Sequence, residues 1–197
     1  MKKSELVYRE LLRGFTEGKK AVFTQLGLAN TFGISLSTVN NALQPLRKMG
    51  AVKVKRMSFE VMNAKKILYY WASVRNIERD VIYKTRVDVK GTVAEIEKGM
   101  PPDVVFAAYT AYKLRFKDAP ADYSEVYVYC AYDDLKEVVK RFPQSKNPNP
   151  NLFVLRKDFA YKEMPLAQMF VDLWNLKEWY ARDFLKALEE KLHGILA

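Results

Sequence analysis

Five polar, uncharged side chains that can hydrogen-bond to nucleic-acid bases fall within one short stretch: Ser37, Thr38, Asn40, Asn41 and Gln44. The amides of Asn and Gln can pair with N6 and N7 of adenine, and the Thr methyl group can contact the methyl group of thymine. Arginine, the usual partner of guanine, does not occur between Ile34 and Leu46. These residue types therefore predict a reader of bases that favours A/T positions.

The surplus positive charge of the chain is confined to the residues around this stretch. Residues 1–76 contain 14 basic and 4 acidic side chains, a surplus of ten, whereas the rest of the chain contains 19 of each. Charge segregated to one end is typical of a protein that binds a polyanion. Nine of the basic residues are predicted to contact phosphate: Lys19, Lys20, Arg47, Lys48, Lys53, Lys55, Arg56, Lys65 and Lys66.

Local signals predict three helices in this basic segment. Apolar residues from 4 to 15 recur at helical spacing, with Ser4 as the N-cap. Thr24 and Ser35 are predicted to cap two further helices, separated by a tight turn at Gly33. The second helix is expected to bury Leu26 together with residues 28 and 29.

The third helix and the residues after it complete the predicted arrangement. The apolar positions of this helix are Ile34, Val39, Leu43 and Leu46. Pro45 removes one hydrogen bond in its second half and leaves the first half intact. Apolar and polar residues then alternate on both sides of residues 56–58, which predicts a β-hairpin.

The stretch from Leu28 to Val52 resembles the winged-helix family of transcriptional regulators. The match covers Leu28, Ala29, Gly33, Ser35, Ser37, Thr38, Val39, Leu43, Leu46 and Gly50. The resemblance implies that the third helix faces a groove of double-stranded DNA and that the hairpin is the wing. General practice among helix-turn-helix proteins implies a homodimer.

The whole sequence predicts a mixed α/β architecture, with an N-terminal winged helix-turn-helix followed by a small α/β domain. The predicted boundaries are 1–76 for the DNA-binding domain, 77–98 for a connector and 99–197 for the α/β domain. Residues 86–90 alternate as a strand, and residues 92–98 read as a short helix. Strands and helices then interleave, and an amphipathic helix from Trp179 to Leu192 closes the domain.

The segment from Pro165 to Leu188 is similar to the C-terminal domain of AbiEi-type antitoxins, winged-helix repressors fused to a domain distantly similar to nucleotidyltransferases. The similarity implies a repressor of its own operon and a toxin or other protein partner. The wider segment from Phe106 to Cys130 falls where the similarity implies the small-residue turn and the paired acids of a nucleotidyltransferase. It departs from an active enzyme, because Ala107, Ala108 and Tyr109 stand at the glycine turn. The acids Asp122 and Glu125 stand three residues apart instead of two.

No catalytic residue, metal site or cofactor is predicted. The chain has one cysteine and one histidine, and it lacks the glycine-rich phosphate motifs. Its N-terminus is too polar for a signal peptide, and no apolar run is long enough to span a membrane. We therefore expect a cytoplasmic protein without a membrane partner.

These features favour a sequence-specific DNA-binding transcriptional regulator, with the α/β domain serving dimerisation, partner contact or ligand sensing. One alternative is a nucleic-acid-modifying enzyme that the winged helix directs to its target. The other is a winged-helix module for protein assembly, whose basic face would meet an acidic partner or RNA.

Overall fold

The computed structural model describes residues 1–88 and 93–196 and confirms a mixed α/β fold. Within these residues, nine α-helices and two small sheets divide into two compact units. The first unit comprises Met1–Arg75, Leu166–Val171 and the chain from Glu189 onward. The second comprises Asn76–Pro165 and Asp172–Leu188.

The first unit places two helices between short strands. Its elements are α1 (Lys3–Thr16), β1 (Val22–Phe23), α2 (Gln25–Phe32), α3 (Leu36–Lys48), β2 (Val52–Val54), β3 (Phe59–Val61) and α4 (Ala64–Val74). The strands form an antiparallel sheet in the order β1-β3-β2. The three predicted helices and the hairpin are therefore confirmed as elements.

Two local predictions in this unit are wrong. Ser4 does not cap α1, because the helix already begins at Lys3 and the backbone N–H of Lys2 donates to the Glu5 carboxylate (3.2 Å). Leu26 is 59% exposed. A residue two positions from Leu28 points to almost the opposite side of a helix, so burial of Leu28 turns Leu26 to solvent.

A buried ionic network joins α1 to α4. The Glu5 carboxylate accepts a hydrogen bond from Trp71 Nε1 (3.0 Å) and pairs with the Arg75 guanidinium (3.5 Å). The side chains of Glu5 and Arg75 are 3% and 1% exposed. Because a buried charge is stable only when it is paired and hydrogen-bonded, this network fixes the two helices together.

The second unit contains a four-stranded mixed sheet flanked by helices. Its elements are β4 (Val81–Thr85), α5 (Val93–Gly99), β5 (Val105–Ala107), α6 (Ala108–Phe116), β6 (Val126–Cys130), α7 (Leu135–Arg141) and β7 (Leu152–Arg156). The strand order is β4-β7-β6-β5, and only the central pair, β6 and β7, is parallel. Helices α8 (Leu166–Trp174) and α9 (Ala181–Leu196) contribute residues to both units.

Both faces of β6 are buried. Val126, Val128 and Cys130 belong to one apolar core, together with Val138 of α7. Tyr129 points to the other face, where its hydroxyl donates to Asp172 Oδ2 (2.8 Å). The predicted strand over residues 126–129 is confirmed, and its continuous apolar run is explained by cover on both sides.

The segment predicted as a connector, residues 77–98, belongs to the second unit in its described part. It contains a short 3-10 helix (Ile77–Asp80), β4 and most of α5. The strand predicted over 86–90 is wrong for residues 86–88, and residues 89–92 lie outside the described residues. The Asn151 amide accepts from the N–H of Val87 (2.8 Å) and donates to its carbonyl (3.2 Å), so a side chain replaces the strand partner there.

We expect the Glu5→Gln substitution to lower the free energy of unfolding by about 3 kcal/mol, because it removes a buried negative charge that pairs with the buried Arg75 guanidinium. Chemical denaturation followed by circular dichroism measures this loss. The control is Glu137→Gln on α7, which removes an exposed i,i+4 pair with Arg141 and should cost about 0.5 kcal/mol or less. Equal stability of the Glu5 variant and the wild type would contradict the structural role of the network.

Candidate nucleic-acid interface

Helix α3 is held by capping at its start and by burial of one side. Gly33 ends α2 in the left-handed conformation (φ 59°), and the Ser35 hydroxyl accepts from the N–H of Thr38 (3.1 Å). Val39, Leu43 and Leu46 have no exposed surface. Since these three residues fix the rotation of the helix, they also decide which of its polar residues face solvent.

The exposed side of α3 carries three of the five predicted base-reading residues. Ser37, Asn41 and Gln44 follow one another at i, i+4 and i+7, and all three are exposed. We call these three residues the amide ridge. Lys48 continues the same line one turn further on and is also exposed. The structure therefore brings together two carboxamides, a hydroxyl and an ammonium group on one helix face.

The other two predicted readers are engaged within the helix. The Thr38 hydroxyl lies 2.9 Å from that of Ser35, within the cap. The side-chain oxygen Oδ1 of Asn40 accepts a hydrogen bond from Arg47 Nη1 (3.0 Å). Both Asn40 and Arg47 are half-buried, so each holds the other beside the amide ridge. Their predicted roles at bases and phosphate stay predictions.

Pro45 does not end the helix. Helix α3 continues to Lys48, and the N–H of Met49 donates to the Pro45 carbonyl (3.1 Å). Because proline has no N–H, residue 45 donates nothing to the carbonyl of Asn41.

The hairpin formed by β2 and β3 presents cations at its tip. Its ladder pairs Val52 with Val61 and Lys53 with Glu60, and the N–H of Lys55 donates to the carbonyl of Ser58 (2.8 Å). Lys53, Lys55 and Arg56 are exposed, and Met57 at the tip is 83% exposed. A basic tip with an apolar end can contact a phosphate backbone or enter a groove.

Lys55 has an anionic partner on the facing strand. Its Nζ lies 2.7 Å from Glu60 Oε2. This hydrogen bond and the charge of Lys55 lower the pKa of the Glu60 carboxyl below its ordinary value, and Lys53 adds to the effect. Lys55 is therefore a weaker candidate for phosphate binding than Lys53, a distinction that the sequence pattern does not contain.

The remaining predicted cations surround the sheet and α4. Lys19 and Lys20 occupy the turn after α1, and the Lys20 ammonium lies 4.8 Å from the centre of the Phe23 ring. On α4, the Lys66 ammonium donates to the Met49 carbonyl at the end of α3 (2.8 Å), and that of Lys65 lies 6.0 Å from the centre of the Tyr69 ring.

Sequence reasoning missed the residues of α1 that lie beside the amide ridge. A cavity of about 560 Å³ is lined by Asn41, Gln44 and Lys48 of α3 and by Lys3 and Tyr8 of α1, among others. The basic start of the chain was the only available signal for them. Nothing in the pattern of α1 indicates which of its faces meets α3.

In the second unit, the turn between β5 and α6 has an unusual backbone. Ala108 adopts φ +48°, a left-handed conformation that glycine takes most easily. The similarity given above predicted a turn of small residues here, and the likeness to a nucleotidyltransferase stays a prediction. The two acids considered for catalysis differ in burial, because Asp122 is exposed and Glu125 is half-buried.

Glu125 lies in an acidic and aromatic environment. The Glu178 carboxylate accepts from the hydroxyls of Tyr109 (3.0 Å) and Tyr127 (2.9 Å). Burial and then the charge of Glu178 raise the pKa of the Glu125 carboxyl above its ordinary value. Within the described residues, no group of three or more His, Cys, Asp or Glu side chains could hold a metal ion.

Searches of protein-family models, curated proteins and solved structures find no match to this chain. Of the helices in the described ranges, none is both long and apolar enough to cross a membrane. The proposal for the candidate interface therefore depends only on the geometry of its residues.

We expect Glu125→Gln to raise the free energy of unfolding at pH 7. A carboxyl whose folded-state pKa is raised stabilises the fold below its unfolded pKa, and this contribution is lost as the pH rises through the folded value. The gain should therefore shrink when unfolding is measured at pH 4. The control Asp122→Asn, at an exposed acid, should change little at either pH, and equal effects of Glu125→Gln at both pH values would contradict the assignment.

Proposed function

We propose that this chain is a sequence-specific DNA-binding transcriptional regulator, acting as a repressor, whose residues 1–75 form a winged helix-turn-helix. The observation that carries the proposal is the amide ridge on α3. Ser37, Asn41 and Gln44 form a neutral hydrogen-bonding line on the exposed side of a capped helix, Lys48 continues this line, and the exposed cations Lys53 and Arg56 lie on the hairpin that follows the helix. Neutral amides that discriminate bases, framed by cations that bind phosphate, are the two parts of DNA recognition.

In this proposal, α3 enters the major groove and the β2–β3 hairpin acts as the wing. The width of the major groove admits one α-helix, and the residues in its first half reach the base edges. Helix α2, the turn at Gly33 and α3 supply the helix-turn-helix, and the order β1-β3-β2 supports the wing. The cavity beside Asn41 and Gln44 leaves room along one flank of the amide ridge.

Six predicted phosphate contacts remain accessible in this arrangement. The list is Lys19, Lys20, Lys48, Lys53, Arg56 and Lys65. Arg47, Lys55 and Lys66 are instead bound to Asn40, Glu60 and the Met49 carbonyl. If all six contact phosphate, the logarithm of the affinity should fall against the logarithm of salt with a slope of about −5, at ~0.9 per contact.

For the second unit we propose dimerisation or contact with a protein partner, such as a toxin encoded beside it. The left-handed turn at Ala108, between β5 and α6, supports the similarity to a nucleotidyltransferase-like antitoxin domain. No catalytic role is proposed, because an alanine side chain at this turn holds the backbone further from a phosphate than glycine would.

The proposal is tested by competition between DNA duplexes. The operator is obtained by selection from random DNA, in which A/T pairs should dominate the half-site core. We expect the complex with this operator, or with DNA upstream of the chain's own gene, to be ~10³-fold tighter than with an unrelated duplex. Fluorescence anisotropy at fixed salt measures the ratio. Equal affinity for every duplex would contradict the proposed sequence-specific regulation. Absence of DNA binding would favour a role in protein assembly.

A pair of substitutions separates base reading from phosphate binding. Asn41→Ala should weaken operator binding by about 1–3 kcal/mol and leave binding to unrelated DNA nearly unchanged. Lys53→Ala should weaken both and reduce the magnitude of the salt slope by about 1. Lys53 is chosen because Lys55 is paired with Glu60.

The matched controls lie on exposed positions of the second unit. Asn149→Ala and Lys136→Ala remove the same kinds of side chain and should leave both affinities and the salt slope unchanged. If Asn41→Ala and Lys53→Ala behave alike in the two assays, the assignment of separate roles is wrong.

A further inference from the structure

A second cavity lies in the first unit, away from the amide ridge. It has a volume of about 440 Å³, which is within the range of about 300–1,000 Å³ typical of small-molecule sites. Leu68 of α4, Phe170 of α8 and Leu192 of α9 line it and are almost completely buried. Tyr69, Lys65 and the carboxylates of Glu189 and Glu190 complete its wall and rim. We call this cavity the Tyr69 pocket.

Two aromatic rings meet at nearly a right angle in the wall of the pocket. The ring centres of Tyr69 and Phe170 are 5.6 Å apart, and their planes are inclined at 83°. The face of an aromatic ring is electronegative and attracts an ammonium group within about 6 Å of its centre. The Tyr69 ring, which is half-buried, can therefore offer its face to a cation, while the fully buried Phe170 ring packs against it and holds it in place.

The carboxylates give the pocket its charge preference. Glu189 accepts a hydrogen bond from the Tyr69 hydroxyl, and Glu190 is exposed on the same helix. Burial, the hydrogen bond to Glu189 and the charge of Glu189 raise the pKa of Tyr69 to about 12, so its hydroxyl stays protonated at neutral pH. Lys65 and His193 are the basic residues that line the pocket, and Glu189 and Glu190 are its acidic residues.

The chain itself already places an ammonium group at this aromatic corner. Lys65 Nζ lies 6.0 Å from the centre of the Tyr69 ring, at the outer limit of a cation–π contact. The side chain of Lys65 is exposed, so it can swing into solvent at little cost. A better-fitting cation would then take its place against the ring.

We propose that the Tyr69 pocket binds a small organic cation with an apolar or aromatic body, such as a quaternary ammonium compound. The cation lies against the Tyr69 ring near Glu189, and the apolar body lies in the cavity over the buried side chains of Leu68 and Leu192. The proposal does not depend on DNA binding, because each contact lies within the pocket and each can be tested without DNA.

The test uses the full chain and phenyltrimethylammonium, with its neutral carbon isostere tert-butylbenzene as the comparison. Two-dimensional NMR titration measures both affinities and locates the shifted resonances. We expect shifts at Leu68 and Leu192 and an affinity about tenfold higher for the cation, since a partly desolvated cation–π contact and nearby carboxylates favour the charged probe. Equal affinity for the two probes, or shifts confined to other residues, would overturn the proposal.

Variants of α4 test the proposal through a gain in affinity, whereas a variant that merely damaged the pocket would bind the cation more weakly. Lys65→Met removes the competing ammonium and should tighten binding of phenyltrimethylammonium several-fold. Lys66→Met is the matched control, because the Lys66 ammonium is bound to the Met49 carbonyl, and it should leave the affinity unchanged. Weaker binding in Lys65→Met, or an equal gain in both variants, would overturn the proposal.

Two further variants remove the attractive groups. Glu189→Gln keeps an acceptor for the Tyr69 hydroxyl but removes the charge, and Tyr69→Leu removes the aromatic face. Each should weaken binding of the cation at least about threefold and leave the neutral isostere nearly unaffected. The control variants Glu163→Gln and Tyr132→Leu alter exposed residues of the second unit and should change neither affinity. If Glu189→Gln and Tyr69→Leu bind the cation as tightly as the wild type does, the proposal fails.

Discussion

The buried carboxylate of Glu5 is the contact on which the first unit depends. It accepts from the backbone N–H of Lys2 and from the indole of Trp71, and it pairs with Arg75. One side chain therefore satisfies the start of α1 and ties that start to the end of α4. Because α2, α3 and the hairpin all lie between these helices in the chain, the network closes the segment that carries the amide ridge.

This closure has a direct consequence for the exposed face of α3. Helix α3 packs against α1 and α2, and Val39, Leu43 and Leu46 on it have no exposed surface. Burial of these three residues fixes the rotation of the helix and leaves Ser37, Asn41 and Gln44 open to solvent, together with Leu36 and Lys48 at its two ends. Lys66 adds a second restraint, because its ammonium group holds the carbonyl of Met49 at the end of α3.

The elements of the first unit were largely predictable because their signals are local. A hydroxyl at the N-caps of α2 and α3, glycine at the left-handed end of α2 and period-two alternation in the hairpin act within a few residues. The contacts of individual side chains were not predictable in the same way. That Asn40 binds Arg47 and that Lys55 binds Glu60 depends on rotamers and on strand register, which the residue types do not specify.

In the second unit, the sequence was not sufficient to predict the position of a whole strand. The apolar run of β6 predicted a buried strand, but the edge strand β4 was missed, and residues 86–88 were predicted as a strand in its place. Val87 obtains its hydrogen bonds from the amide of Asn151, 64 positions away in the chain. Backbone groups can be satisfied by a distant side chain as well as by a strand, and only the folded structure distinguishes these outcomes.

The basic residues of the first unit fall into two groups, those bound to other residues of the unit and those left exposed, and composition does not distinguish them. The sequence places ten surplus positive charges in residues 1–76, yet Arg47, Lys55 and Lys66 are used to position α3, the hairpin and α4. Of the exposed cations that remain, Lys48 continues the amide ridge, Lys53 and Arg56 lie on the hairpin, and Lys65 lies at the Tyr69 pocket. The helix face from Ser37 to Gln44 carries no charge, so the positive charge of the first unit lies on several other surfaces. In the proposed function this separation has a physical reason, because cations bind phosphate without regard to sequence, whereas uncharged amides can distinguish bases.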